Sequence, residues 1–372
     1  MYQDIIKNAP AVFAVGESYQ IMVGVTCQTM MWVEIAGERY YNHSNGIMRS
    51  AVTMHRVTVP REALEAAGGY SVYFEKIIDR KPYFPETEEP VSQYYPFTPV
   101  KNGTVRAFQV ADAHNHVNGP AAACAAYTAA YGPIDFLIMN GDIPNHSGDV
   151  KFFDTIYEIA AKITGGSIPI VFARGNHDLR GVHAEEIADY TPNLHGNTYF
   201  TCRVGDIWAL VLDTGEDKDD SHPEYGHTVC CHAFRKEETR FIENVIRNSE
   251  REYNAPGVKR KIVVMHNPLT YKSENDCFNI EPELFTYWAK LMREEIGVDA
   301  MICGHLHTTH VYMPGDEYDL LGHPCPIIVG SMINHKTGYF IGMGLEFGEN
   351  DVKATFIDSN GSVTGEEIVK LL

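Results

Sequence analysis

Five apolar runs in this chain each end on a side chain that can bind a metal, and that coincidence constrains the fold more than any bulk property. Arg106–Ala111 is followed by Asp112-Ala113-His114, and Phe136–Asn140 by Gly141-Asp142. Ile168–Phe172 is followed by Ala173-Arg174-Gly175-Asn176-His177-Asp178, Lys261–Met265 by His266, and Ala300–Cys303 by Gly304-His305-Leu306-His307. Between the first three runs lie an Ala-rich segment, Ala121–Tyr131, and Lys151–Thr164, where Phe152, Ile156, Ile159, Ala160 and Ile163 recur at helical spacing. This β-α-β-α-β alternation predicts a mostly parallel sheet with helices on its faces. In such sheets the site lies outside the carboxyl ends of the strands. One Asp or His after a strand is an ordinary cap or turn residue. Five such endings aim Asp, His and Asn at one edge. Gly141, Gly175 and Gly304 are expected where the backbone turns sharply to aim a ligand.

The same pattern continues downstream. Ile207–Asp213 and Ile327–Gly330 read as strands, Phe234–Asn248 and Glu283–Ile296 as helices, and Phe340–Phe347 with Lys353–Ile357 as a hairpin around Gly348–Asp351. The first hundred residues differ. Tyr19–Val25, Met30–Ile35, Val57–Pro60 and Tyr70–Lys76 read as short strands, with only a turn expected at Arg61–Ala67. Strands at this spacing suggest a small antiparallel sandwich. Arg80–Pro99 carries five prolines and reads as a linker or extended arm. The expected division is residues 1–100, a β-sandwich with a Pro-rich linker, and residues 101–372, an α/β unit.

Charge narrows the partners. The 372 residues carry a formal net charge of −19, which disfavours nucleic acid and anionic membranes. No apolar run approaches the ~18 residues of a membrane-spanning helix. The N-terminal stretch has no basic segment ahead of an apolar one, so a cytoplasmic location is expected. Eight scattered cysteines without a CxxC pair read as reduced thiols.

The combination Asp112-x-His114, Gly141-Asp142, Gly175-Asn176-His177-Asp178, His266 and Gly304-His305-x-His307 resembles the calcineurin-like metallophosphoesterases. The resemblance implies a four-layer α/β/β/α sandwich, preceded here by a small all-β, fibronectin III-like unit similar to the accessory domain of purple acid phosphatases. It implies a phosphatase or phosphodiesterase acting on a phosphate ester through a metal-bound hydroxide. It assigns one divalent transition-metal ion (Mn, Zn or Fe) to Asp112, His114, Asp142 and His307. A second ion falls to Asp142, Asn176, His266 and His305, with Asp142 bridging. Two divalent ions against two carboxylates and a hydroxide leave about +1 by formal count, which suits an anionic ester. The resemblance gives His177 the leaving group to stabilise or protonate. Arg174, beside it, is a candidate for the phosphate oxygens.

There are departures. Protein phosphatases of this family usually carry Asp three residues after the bridging Asp, and purple acid phosphatases carry an iron-binding Tyr; this chain has Asn145. His114 stands where the purple enzymes have a non-ligating residue. The charged stretch Thr214–His232 reads as a lid over the site rather than a third metal site. His116, His146 and His310 are expected behind the ligands or at the rim. The competing class is a binding scaffold on the same fold that has lost catalysis; the complete donor set argues against it.

Overall fold

The computed structural model describes residues 1–371. The first hundred residues form β1 (Ala11–Val15), β2 (Ser18–Gly24), β3 (Thr29–Ile35), β4 (Glu38–Tyr41), β5 (Met54–Pro60), the helix α1 (Arg61–Ala67), β6 (Gly69–Asp79) and β7 (Val91–Pro96). Where the sequence suggested only a turn, Arg61–Ala67 is a short helix. Its Ala, Leu and Glu residues favour one, and Gly68 ends it at φ 64°, donating its N–H to Leu64. The expected arm also contains a strand. β7 runs antiparallel to β6, with Tyr95 buried against Tyr70. It lies near the sheet edge, where prolines at strand ends are tolerated.

The remainder forms β8 (Val105–Val110), α2 (Asn118–Tyr131), β9 (Phe136–Asn140), α3 (Asp154–Thr164), β10 (Ile170–Ala173), β11 (Phe200–Val204), β12 (Ile207–Val211) and α4 (Cys231–Arg247). Then come β13 (Arg260–Val264), α5 (Pro282–Lys290), β14 (Ala300–Cys303), β15 (Thr309–Tyr312), β16 (Ile327–Gly330), β17 (Tyr339–Phe347), β18 (Asp351–Asp358) and β19 (Val363–Lys370).

One sheet has the order β19-β18-β17-β8-β9-β10-β1-β2-β5, with β8, β9 and β10 parallel. β1 lies parallel to β10, Phe13 opposite Ile170, so the N-terminal strands extend this sheet. A second sheet has the order β11-β12-β13-β14-β16-β15, parallel from β12 to β16. The strands β7-β6-β3-β4 make a third.

The first two sheets share a core. On β12, Ile207, Ala209 and Val211 pack with Val110, Ile138 and their neighbours, while Trp208 and Leu210 pack with Ile242, Val245 and Trp288 of α4 and α5. That alternation is the period of two of a strand covered on both faces. Buried amides tie the two sheets together close to their carboxyl ends. Gln109 Nε2 donates to the carbonyls of Cys303 (2.8 Å) and Gly330 (2.6 Å), and Asn140 Nδ2 donates to Ile302 (3.0 Å). Among the described residues, no helix is long and apolar enough to cross a membrane.

Candidate metal centre

The loops after β8, β9, β10, β13 and β14 meet at one edge. Five of the seven expected ligands sit in left-handed backbone conformations: Asp112 (φ 51°), His114 (43°), Asp142 (52°), His305 (68°) and His307 (49°). Residues other than glycine rarely adopt this region, at a cost of roughly 1–3 kcal/mol each. The surrounding backbone holds them there. Asp112 N donates to Gly141 O, His114 N to Asp142 O, and His305 N to the Asp112 carboxylate at 3.0 Å.

The glycines serve two purposes. Gly141 has φ 77°, as a sharp turn requires. Gly175 and Gly304 are not left-handed; they allow close approach. A Cβ on Gly175 would stand 2.2 Å from Asp142 Oδ1, and one on Gly304 would stand 2.9 Å from Asp112 Oδ2.

The two carboxylates and His266 form the deepest group, all of it buried. His266 Nδ1 lies 2.6 Å from the Asn140 carbonyl, which accepts its proton. That bond turns Nε2 toward Asp142 Oδ2 (3.2 Å) and Asp112 Oδ1 (3.6 Å). His307 Nε2 reaches Asp112 Oδ1 at 3.3 Å, and His114 Nε2 lies 3.9 Å from Asp142 Oδ2. His305 Nδ1 is 3.2 Å from Asn176 Oδ1. All seven residues are therefore brought together.

Asp112 Oδ1 and His266 Nε2 are buried without a hydrogen-bond partner. Buried polar atoms are rarely left so, and a carboxylate oxygen facing a ring nitrogen lacks only a cation between them. Asp142 and Asp112 overcome burial and hold the His266 imidazole up to about 10. Burial pulls His114 and His305 down to about 4, leaving them neutral, as metal ligation requires. Asp142 is held well below the carboxylate range despite its burial, chiefly by His266. The donor set fits divalent transition metals.

His177 sits above this group. Its backbone N–H donates to Asp142 Oδ1 (2.9 Å), and its Nδ1 donates to the Asn145 carbonyl (2.9 Å). The Asn145 side chain lies 3.2 Å from His114 Nδ1. The position that carries Asp in protein phosphatases thus orients two histidines here, one through its backbone and one through its amide.

The guanidinium facing the site is Arg180, not Arg174. Arg174 Nε is 2.6 Å from Asp213 Oδ2, and its guanidinium lies over Phe234. That buried ion pair removes it from the role the sequence offered it. Arg180 Nη1 donates to His177 Nε2 at 3.1 Å, and the Glu216 carboxylate holds the same guanidinium by two bonds of 2.8 Å. The sequence reading also missed His335, whose ring lies 4.9 Å from that of His114 and which groups with His114 and His307. His116 lies beside His335, His146 against Phe152, and His310 against Tyr312. In the 214–232 stretch, Asp220 caps the N-terminus of α4 and His232 reaches Glu281. Among the described residues, its histidines form no metal-binding group.

Residues 105–309 match the family of calcineurin-like phosphoesterases. A rat relative described as serine/threonine-protein phosphatase CPPED1 is 26% identical over 156 residues, covering 39% of this chain and 44% of its own length. The zebrafish protein of that name is 26% identical over 178 residues, covering 46% of this chain and 53% of its own. The chain thus spans about half the length of the curated relatives it matches. A purple acid phosphatase from yellow lupin seeds superposes over 98% of this chain and 75% of its own, with a TM-score of 0.60 at 13% identity, a likeness of fold that includes the N-terminal strands. The matched segment carries all seven donors, and the chain belongs to the calcineurin-like phosphoesterase family.

Proposed function

We propose that this protein hydrolyses phosphate esters at a dinuclear metal centre held by Asp112, His114, Asp142, Asn176, His266, His305 and His307. The observation that carries this reading is the facing pair of buried, unpartnered atoms, Asp112 Oδ1 and His266 Nε2. Two divalent ions there would supply Lewis acidity and activate water at neutral pH. The chain's own residues supply the rest. Asp142 stands between the two donor groups, and its Oδ1 also fixes the backbone of His177. Arg180, already directed at the site by Glu216, offers its guanidinium to the phosphoryl oxygens. His177 stands beside it for the departing oxygen. The mammalian relatives' description as protein phosphatases favours a monoester. In this reading the catalytic unit is four-layered and takes in the N-terminal strands β1, β2 and β5, which continue its first sheet instead of standing apart as a fibronectin III-like sandwich over residues 1–100.

The test is elemental analysis with turnover of p-nitrophenyl phosphate and bis-p-nitrophenyl phosphate. Two ions per chain and chelator-sensitive hydrolysis, faster on the monoester, are expected. Full activity after complete metal removal would overturn the reading.

A further inference from the structure

A cleft of about 550 Å³ leads away from the metal donors at His305, between the loops after β13 and β14 and the segment around Tyr318. Small-molecule sites span roughly 300–1,000 Å³. The end nearest the donors is polar. Asp217 Oδ2 lies 3.7 Å from His305 Nε2, and Glu216 is the residue that holds Arg180. Asn267 follows His266 directly and lines the cleft. It is only 9% exposed, yet its Oδ1 has no hydrogen-bond partner. A buried amide left unpaired is costly.

The far end is aromatic. Tyr271 and Tyr318 stack with ring centroids 5.8 Å apart and planes 10° apart, and Tyr312 meets them edge-on at 5.1 and 5.2 Å. Leu306, Leu320 and Phe278 complete the walls. Glu216, Asp217 and Glu274 line the cleft, whereas among the described residues no Lys or Arg does. Lys218, next to the lining residue Asp217, is bonded to Asp217 and Glu224 and lies over the Phe278 ring. This cleft can bury a planar apolar group and offers a second anion no counter-charge.

We propose that the cleft receives the alcohol side of the substrate, and that the substrate class is a phosphomonoester of an aromatic alcohol without anionic substituents. The proposal rests on the phosphoester hydrolysis argued above. Water adds to phosphorus, the P–O bond to the alcohol breaks, and the alcohol leaves with a proton. The products are inorganic phosphate and the free aromatic alcohol.

The experiment compares kcat/KM of the metal-saturated protein on 1-naphthyl phosphate, phenyl phosphate, 3-carboxyphenyl phosphate and a phosphoserine peptide. Naphthol and phenol are leaving groups of similar acidity, so the ratio of the first two reads the cleft. The naphthyl ester is expected to exceed the phenyl ester by about tenfold or more, from the extra ring buried. The carboxylated ester is expected to fall at least about tenfold below phenyl, its charge being desolvated without a partner. Leu320→Glu, at the exposed rim, should cut the naphthyl-to-phenyl ratio to about twofold or less. Equal kcat/KM for the naphthyl and phenyl esters, or a peptide preferred over both, overturns the proposal while phenyl phosphate turnover leaves the hydrolase standing. With no ester turned over, the hydrolase reading fails, and calorimetric Kd values for naphthyl and phenyl phosphate decide the cleft: a tenfold gap supports it and equality overturns it.

Discussion

His55, on β5 among the N-terminal strands, and His266, at the end of β13, are both shut off from solvent, and each has an Nε2 without a hydrogen-bond partner. Their surroundings differ. His55 Nδ1 accepts from Asn42 Nδ2 at 2.8 Å, and the ring packs edge-on to Phe74. No carboxylate lies within ion-pair distance of it among the described residues. Burial outweighs an opposing contact with the Thr29 backbone, and it pulls the imidazole down to about 4. Around His266 the same burial is outweighed by Asp142 and Asp112, and the imidazole rises to about 10. An unpartnered ring nitrogen is thus no sign of a ligand by itself. One that faces an unpartnered carboxylate oxygen is, because the two lack the same thing.

The largest effect should come from removing the carboxylate between the two donor groups. Asp142→Asn is expected to lose both ions, and Asp112→Asn chiefly one. Activity in each should fall by more than the roughly 10- to 100-fold that changes behind the ligands cost. Elemental analysis checks this. Two tightly held ions in purified Asp142→Asn would break the distinction drawn between His266 and His55.

His177 comes next. In the present arrangement its Nδ1 donates to Asn145 O while its Nε2 accepts from Arg180. To protonate a leaving group it must gain a proton at Nε2, and Arg180 must first let go. A phosphoryl group drawing the guanidinium to itself would do that. General acid catalysis is worth about 100- to 10,000-fold. His177→Ala should therefore slow an alkyl phosphate by that order and a p-nitrophenyl ester far less, since nitrophenolate departs unaided. Metal content should not change. Equal losses on both esters would leave His177 only a positioning role.

Arg180→Met should act more weakly and evenly. A charged hydrogen bond to a ligand contributes about 1.5–3 kcal/mol, so roughly 10- to 100-fold is expected in kcat/KM on both esters. Arg174→Met, at the Asp213 pair, should instead lower the melting temperature. If Arg174→Met spares stability and raises KM, the assignment of the two guanidiniums is reversed.

The site was readable in sequence because each donor ends an apolar run, a local signal. What decides between Arg174 and Arg180 is not local. Asp213 and Glu216 lie in one distant segment, and only the fold shows which guanidinium each one meets. His335 was missed because the strand ahead of it, Met332–Asn334, is only three residues long and is defined by its pairing with Tyr339–Ile341. β1 is a five-residue apolar run, Ala11–Val15, whose partner in the parallel sheet is Ile170; nothing nearby announces that pairing. The prolines of Arg80–Pro99 masked β7, because the alternation of exposed Ser92 and Tyr94 with buried Tyr95 is visible only against β6. The left-handed backbone at Asp112 and His114 has no signature in residue type, since it is tertiary hydrogen bonds that hold it.

The smallest expected effect tests the structural member of the pair. An unfolded histidine titrates near about 6.5, and folded His55 is held down to about 4 by burial. Between those values the unfolded chain binds a proton that the folded chain refuses. Stability is therefore fully present above about pH 6.5 and is lost as pH falls toward 4. From pH 7.5 to 5.5 this single group should remove about 1.4 kcal/mol. The measurement is urea unfolding at both pH values, on wild type and on His55→Gln, which keeps a polar partner for Asn42 but has nothing to titrate. Both proteins are kept metal-saturated, so the histidines at the strand ends contribute equally and cancel in the difference. His55→Gln should be flatter than wild type by about that amount. Identical pH slopes would mean that His55 is charged in the folded protein, and burial alone would no longer separate it from His266.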